Sequence, residues 1–179
     1  MNYEPFWHVV YTMPRNEKKV AAKLNDLSYN YYLPLTQQIK EYKNKKQKVE
    51  QPIFPGYIFI YVKPGFRHHI TNIKEVLYFV RFNNEYAKIN EDEINALRIL
   101  LENLRHTSGL LVKDLSKSGQ SCEIKYGALK GFKGKIIGKN GSSKLKVEIS
   151  ALNKMVIVKI DDIIINENAL IKEHETLLQ

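Results

Sequence analysis

The groups in this 179-residue chain best able to do chemistry are five histidines, one cysteine and an acidic triplet, and their spacing argues against catalysis. His68 and His69 are adjacent. On a strand they point to opposite faces, and on a helix they diverge by roughly 100°, so they make a poor metal pair. No other cluster has usable ligand spacing. Glu91-Asp92-Glu93 opens a helical pattern, where capping and the helix dipole explain three acids without acid–base work. The glycine-rich run Gly127-Ala-Leu-Lys-Gly-Phe-Lys-Gly134 lacks the Gly-Lys-Ser/Thr ending of a phosphate loop and leads into a strand pattern instead of a helix. No Gly-X-Ser-X-Gly elbow is present. The expectation is a protein that is not an enzyme and holds no metal or cofactor.

What remains are cations and rings. Lysine and arginine number 28 against 19 acids, a net charge of +9. Residues 1–105 carry +5 of this and residues 119–165 another +5. A polyanion such as nucleic acid suits both halves. Arg15, Lys18 and Lys19 lie together, and Lys43, Lys45, Lys46 and Lys48 crowd the run 40–50. Tyr11, Tyr57, Phe59 and Phe82 are aromatic candidates for a protein dock. Strand alternation places Tyr57 and Phe59 on one face, as a dock or as core. Trp7 reads as core.

Phe6–Thr12 reads as a first strand, rich in aromatic and β-branched residues. Residues 15–27 have Val20, Leu24 and Leu27 at helical spacing. Residues 29–39 read as a second strand. The run 40–50 has no apolar period and reads as a mobile basic hairpin tip. Residues 53–62 read as a third strand, with Pro55-Gly56 requiring an edge or a bulge. Residues 66–74 suit a short helix. Residues 77–82 form a further strand, followed by an Asn83-Asn84 turn. Asn90 then caps a helix with Glu93 as capping-box partner and Ile94, Leu97, Leu101 and Leu104 as its buried stripe. The order describes an α+β fold: an antiparallel sheet flanked by helices over residues 1–105.

Residues 106–118 read as a linker. From 119 to 166, short β-rich runs alternate with glycine turns, the pattern of a small five-stranded barrel. Residues 167–179 suit a short helical tail. No apolar run approaches the ~18 residues of a membrane span, the amino terminus lacks a secretion pattern, and one cysteine makes no internal disulfide. A cytoplasmic protein with no membrane partner is expected. Cys122 reads as a small buried hydrophobe.

Five stretches, in one order, resemble the NusG family of transcription factors. Trp7-His-Val-Val-Tyr11 is similar to the family's opening strand and Glu17 to Leu24 to its first helix. Phe54-Pro-Gly-Tyr-Ile-Phe59 is similar to its Phe-Pro-Gly-Tyr strand. Val80-Arg-Phe82, with Ile89, Glu93 and Leu97, resembles the approach to its last helix. Gly127-Ala-Leu-Lys-Gly-Phe-Lys-Gly-Lys-Ile136 resembles the KOW signature. The likeness spans residues 6–165. It implies an amino-terminal NusG domain, an SH3-like KOW barrel and a monomer that binds RNA polymerase. The first domain would bridge the clamp helices and the gate loop of the opposing lobe, favouring the closed clamp by differential affinity. The resemblance assigns Tyr11, Tyr57, Phe59 and Phe82 to the clamp-helix pocket. It assigns Arg67 and His68, which depart from the family's His/Thr pattern there, to the gate loop. Arg15, Lys18 and Lys19 would face the displaced non-template DNA strand, and Lys43 and Lys45 would reach DNA from the tip. Tyr11 would stack a flipped base. The barrel would recruit a ribosomal protein or a termination factor. Strong β propensity in Lys146–Ile149 and Met155–Ile160 favours a permanent barrel. The basic charge, compact lysine-rich loop and extra tail point toward a specialised paralogue that antiterminates particular operons, and the resemblance implies the polysaccharide-operon type. The alternatives are a housekeeping elongation factor and a KOW-type ribosome-binding protein.

Overall fold

A computed structural model describes residues 4–42, 45–102, 111–114, 120–124, 133–137, 144–159 and 170–172. The chain divides into two compact units, Met1–Glu91 and Asp92–Gln179.

In the first unit, β1 (Phe6–Thr12) runs to α1 (Glu17–Asp26). α1 stops because Ser28 turns left-handed at φ 58°, while Tyr29 N–H reaches Leu24 O and Ser28 N–H reaches Asn25 O. Those two bonds satisfy carbonyls that the helix end would otherwise leave open. The strand expected over 29–39 is two strands, β2 (Asn30–Tyr32) and β3 (Leu35–Tyr42). Pro34 separates them, since it has no N–H to donate to a ladder. In the run 40–50, read as a mobile basic hairpin tip, residues 40–42 and 45–50 are strand. β3 pairs with β4 (Lys45–Pro52) from Leu35↔Pro52 to Tyr42↔Lys45. Lysine-rich strands without apolar alternation escape a periodicity reading.

β5 (Tyr57–Val62) starts after the Pro55-Gly56 turn, and not at residue 53. It lies inside the sheet, with order β2–β5–β1–β6 where β6 is Val76–Phe79. The expectation of an edge or a bulge is therefore corrected: the proline precedes the strand, which lies inside the sheet. Between β5 and β6 lie a 3-10 turn (Pro64–Phe66) and α2 (Arg67–Thr71). β7 (Arg81–Phe82) and β8 (Glu85–Tyr86) form a hairpin across Asn83-Asn84, both left-handed at φ 48° and 67°. Asparagine tolerates that conformation better than most residues, which makes this pair a natural tight turn. β9 (Lys88–Ile89) pairs with the start of β1.

Alternation sorts β1 and β5 into two faces. Val10, Ile58, Ile60 and Val62 share a core with Val20 and Leu24 of α1, Ile70 of α2, and Ile73, Val76 and Phe79. The opposite face carries Trp7, Val9 and Tyr11 on β1 and Tyr57, Phe59 and Tyr61 on β5.

In the second unit, α3 (Glu91–Glu102) buries Ile94, Leu97 and Leu100. The expected stripe named Leu101, which is half-buried, and Leu104, which lies outside the described residues. Among the described residues six strands follow: β10 (Leu111–Asp114), β11 (Gln120–Ile124), β12 (Lys133–Ile137), β13 (Lys144–Ile149), β14 (Lys154–Lys159) and β15 (Leu170–Lys172). Their order is β10–β14–β13–β12–β11–β15, every pairing antiparallel. Residues 170–172 thus form a strand on β11, a correction to the helix expected for that part of the tail. Most of the expected linker, and the 127–132 part of the glycine turn, fall outside the described residues. So do the connections that would show a five-stranded barrel closing.

Candidate functional site

Three tyrosines form a row across β5, β1 and β6. Register sets it: Tyr57 lies opposite Tyr11, and Tyr11 opposite Tyr78. The Tyr11 ring sits 5.0 Å from Tyr57 and stacks on Tyr78 at 5.3 Å with planes 25° apart. Tyr11 and Tyr57 are half-buried, and Tyr78 is 52% exposed. A rigid, partly open aromatic patch of this kind suits protein recognition, since tyrosine contributes large contact area for few rotatable bonds.

Gly56 shapes the patch. Its φ is +86°, and a Cβ built there would lie 2.5 Å from Tyr11 Cε2. Its N–H donates to the buried Glu17 carboxylate at 2.7 Å, and its carbonyl accepts from Thr12 N–H at 2.8 Å. One residue therefore ties the end of β1, the start of α1 and the start of β5, with the Tyr11 ring lying on it. This explains chemically why a glycine precedes Tyr57 and why the first helical residue is a glutamate.

Phe59 does not belong to the patch. It is 0% exposed, stacks on Tyr32 at 6.2 Å and meets Phe54 edge-on at 6.1 Å. The docking role expected for it is corrected to core. Phe82, 46% exposed, stands on the separate β7–β8 hairpin. Tyr78 is the residue sequence reading missed. The run 77–82 marked a strand, but only the pairing of β6 with β1, Val10 opposite Phe79 and Tyr11 opposite Tyr78, shows which ring reaches Tyr11.

The cations are less free than their spacing implied. Lys18 pairs with Glu50 of β4 at 3.4 Å. Lys19 at 2.9 Å and Lys23 at 2.6 Å both hold the Glu75 carboxylate. Hydrogen bonds from Lys23 and then Lys19 draw the Glu75 pKa down from 4.5 to about 2. A depressed carboxylate stabilises the fold fully above its unfolded value and loses that contribution as pH falls through the folded one. The urea-unfolding gap between wild type and Glu75→Gln is expected to be largest above pH 5 and to shrink steadily toward pH 2. A gap independent of pH would exclude the two-lysine clasp. Arg15 is exposed, in a left-handed backbone at φ 61°. Lys45 is exposed on β4, whereas Lys43 lies outside the described residues.

A second cluster surrounds Tyr86. Arg67 Cζ lies 4.0 Å and Arg81 Cζ 4.2 Å from the ring centroid, and Arg81 donates to the Tyr86 hydroxyl. His8 packs edge-on to this ring and shares a hydrogen bond between Nδ1 and Ala87 O at 3.1 Å. Burial, with smaller contributions from Arg67 and Lys88, pushes its pKa down despite the Ala87 bond. His68 is exposed against His69, whose Nδ1 meets the Tyr29 hydroxyl at 3.0 Å. Among the described residues no group of three or more His, Cys, Asp or Glu side chains could hold a metal ion, and no helix is long and apolar enough to cross a membrane.

The family model described as transcription termination factor nusG matches residues 5–98. The chain belongs to the NusG family. NusG proteins are non-catalytic transcription factors, so a role in transcription replaces any enzymatic reading. Solved structures similar to the chain include one of domain interaction in Thermotoga maritima NusG, at 18% identity with 96% of this chain and 98% of that one covered and a TM-score of 0.48. Two conformations of the MjSpt4:Spt5 complex match at 16% and 18% identity. They cover 94% and 95% of this chain and 99% of the other, with TM-scores of 0.30. The residues that match the NusG model include all three tyrosines of the row, the Gly56 peptide and both arginines on Tyr86.

Proposed function

We propose that this NusG-family chain binds RNA polymerase through the Tyr57–Tyr11–Tyr78 row and promotes processive elongation without catalysing a reaction. The observation that carries the reading is the row itself, three contiguous rings on a sheet face with Tyr78 half exposed. The row takes the clamp helices, and the β7–β8 end with Arg67 and Phe82 takes the opposing lobe. A factor bound to both holds the closed clamp by preferring it. Arg15 and Lys45 contact the phosphates of the non-template strand, with Lys18 and Lys19 secondary because glutamates hold them. The second half, as a KOW barrel, recruits a ribosomal protein or termination factor. We read the protein as a cytoplasmic monomer that serves particular operons.

The test is retention of purified core RNA polymerase. Wild type is expected to be retained. Tyr57→Ala plus Tyr78→Ala should weaken binding at least about 100-fold, if each ring contributes about 1.4 kcal/mol. Circular dichroism must show the double variant folded. A folded double variant that binds as tightly as wild type removes the row, and failure of wild type to bind removes the polymerase.

A further inference from the structure

The β3–β4 ribbon sorts its charges by face. In an antiparallel pair, residues directly opposite lie on one face and successive pairs alternate. One face of the outer ribbon holds Gln37↔Glu50, Ile39↔Lys48 and Glu41↔Lys46. Its charges cancel, two lysines against two glutamates, and both glutamates are engaged: Glu41 with Lys46 at 3.5 Å and Glu50 with Lys18 at 3.4 Å. The other face holds Gln38↔Val49, Lys40↔Gln47 and Tyr42↔Lys45. It carries two lysines and no acid. Among the described residues neither lysine meets a carboxylate. Gln37, Gln38 and Ile39 on β3 and Lys45 to Lys48 on β4 are all exposed. Adjacent strand residues belong to opposite faces, so neither face of this stretch is covered.

An acid-free face with a lysine on each strand attracts a polyanion. Shape and the amides narrow the choice. Two strands ~4.8 Å apart fit the ~12 Å major groove of B-form DNA, whereas the deep, narrow major groove of A-form RNA keeps side chains out. A single strand calls for several aromatic platforms, and this face has one aromatic residue, Tyr42. A phosphate backbone asks only for donors. Glutamine offers a donor and an acceptor together, which matches the N6 donor and N7 acceptor of adenine. Val49, opposite Gln38, offers an apolar contact to a thymine methyl.

We propose that this face of β3–β4 lies in the major groove of duplex DNA, with Gln38 and Gln47 on base edges and Lys40 and Lys45 on the phosphates to either side. The inference deepens the nucleic-acid part of the proposed function. Lys45 keeps its phosphate, and the addition is a double-stranded ligand whose sequence matters. It rests on that function only for where in transcription the duplex lies.

The full-length protein is passed over a pool of short DNA duplexes with randomised centres, and the retained fraction is sequenced. Enrichment of a short sequence is expected. The enriched duplex should bind at least about tenfold tighter than either of its single strands or the matching RNA duplex. Gln38→Ala plus Gln47→Ala should reduce its advantage over a scrambled duplex about tenfold per glutamine. Lys40→Gln plus Lys45→Gln should weaken both duplexes alike and lower the salt slope by about two. Lys46→Gln plus Lys48→Gln removes the same charge from the opposite face and should leave preference and slope near wild type. These side chains are exposed, or half-buried for Lys40, and circular dichroism checks that each variant folds. A pool that enriches nothing, single strands held as tightly as the duplex, or an equal loss from both lysine pairs overturns the reader. Any of these, with the tyrosine row still governing polymerase retention, leaves the polymerase contact standing. Enrichment without polymerase retention keeps the reader and removes that contact.

Discussion

A valine at position 56 is expected to cost the first unit about 4 kcal/mol. Two effects add. Gly56 has φ +86°, where a β-branched residue is strained by about 1–3 kcal/mol. A Cβ there would also lie 2.5 Å from Tyr11 Cε2, and forced overpacking costs about 1–3 kcal/mol more. The clash is with a ring whose neighbours, Tyr57 and Tyr78, leave it little room to swing. Any shift of the peptide would also disturb its bonds to Glu17 and Thr12. Urea unfolding of Gly56→Val measures the loss. Repeating it in a Tyr11→Ala background separates the terms: the steric part should disappear there and the backbone part should stay. A loss below about 1 kcal/mol would mean that the turn relaxes freely and that Gly56 does not fix the ring.

Truncating Phe59 to alanine should cost about 3–5 kcal/mol, the usual range for a buried phenylalanine. The ring is fully buried beside Tyr32 and Phe54. Its loss should show as instability and not as weaker recognition. Under conditions where Phe59→Ala remains folded, its polymerase affinity should match wild type, in contrast to Tyr57→Ala plus Tyr78→Ala. If Phe59→Ala kept wild-type stability and lost the polymerase, the ring would be a docking group after all.

Much of the first unit was legible because its signals are local. The bounds of β1 follow from a run with six strand formers in seven residues closed off by Met13-Pro14, and α1 from the spacing of Val20 and Leu24. The misreadings have particular causes. Pro34 and Pro55 each interrupt a run that looks continuous in composition. The β3–β4 strands are too polar for alternation to show. Phe59 and Tyr57 share a face, so no period of two can tell the buried ring from the accessible one; their different neighbours across the sheet can. Tyr78 reaches the site only through the pairing of β6 with β1, and the Arg67–Tyr86–Arg81 cluster joins residues of α2 and the β7–β8 hairpin whose meeting is a tertiary fact. Charge counting found the lysines but not Glu50 and Glu75, which hold three of them.

The β3–β4 ribbon has one more consequence. Among the described residues neither strand pairs with a third, so each eight-residue strand has an edge that no further strand covers. Ile39, 68% exposed, adds a greasy spot. Such a ribbon is a template for self-association unless something repels a second copy. Lys40, Lys45, Lys46 and Lys48 repel it, whatever else they touch. Like charges at such an edge oppose the stacking of a second ribbon on the first.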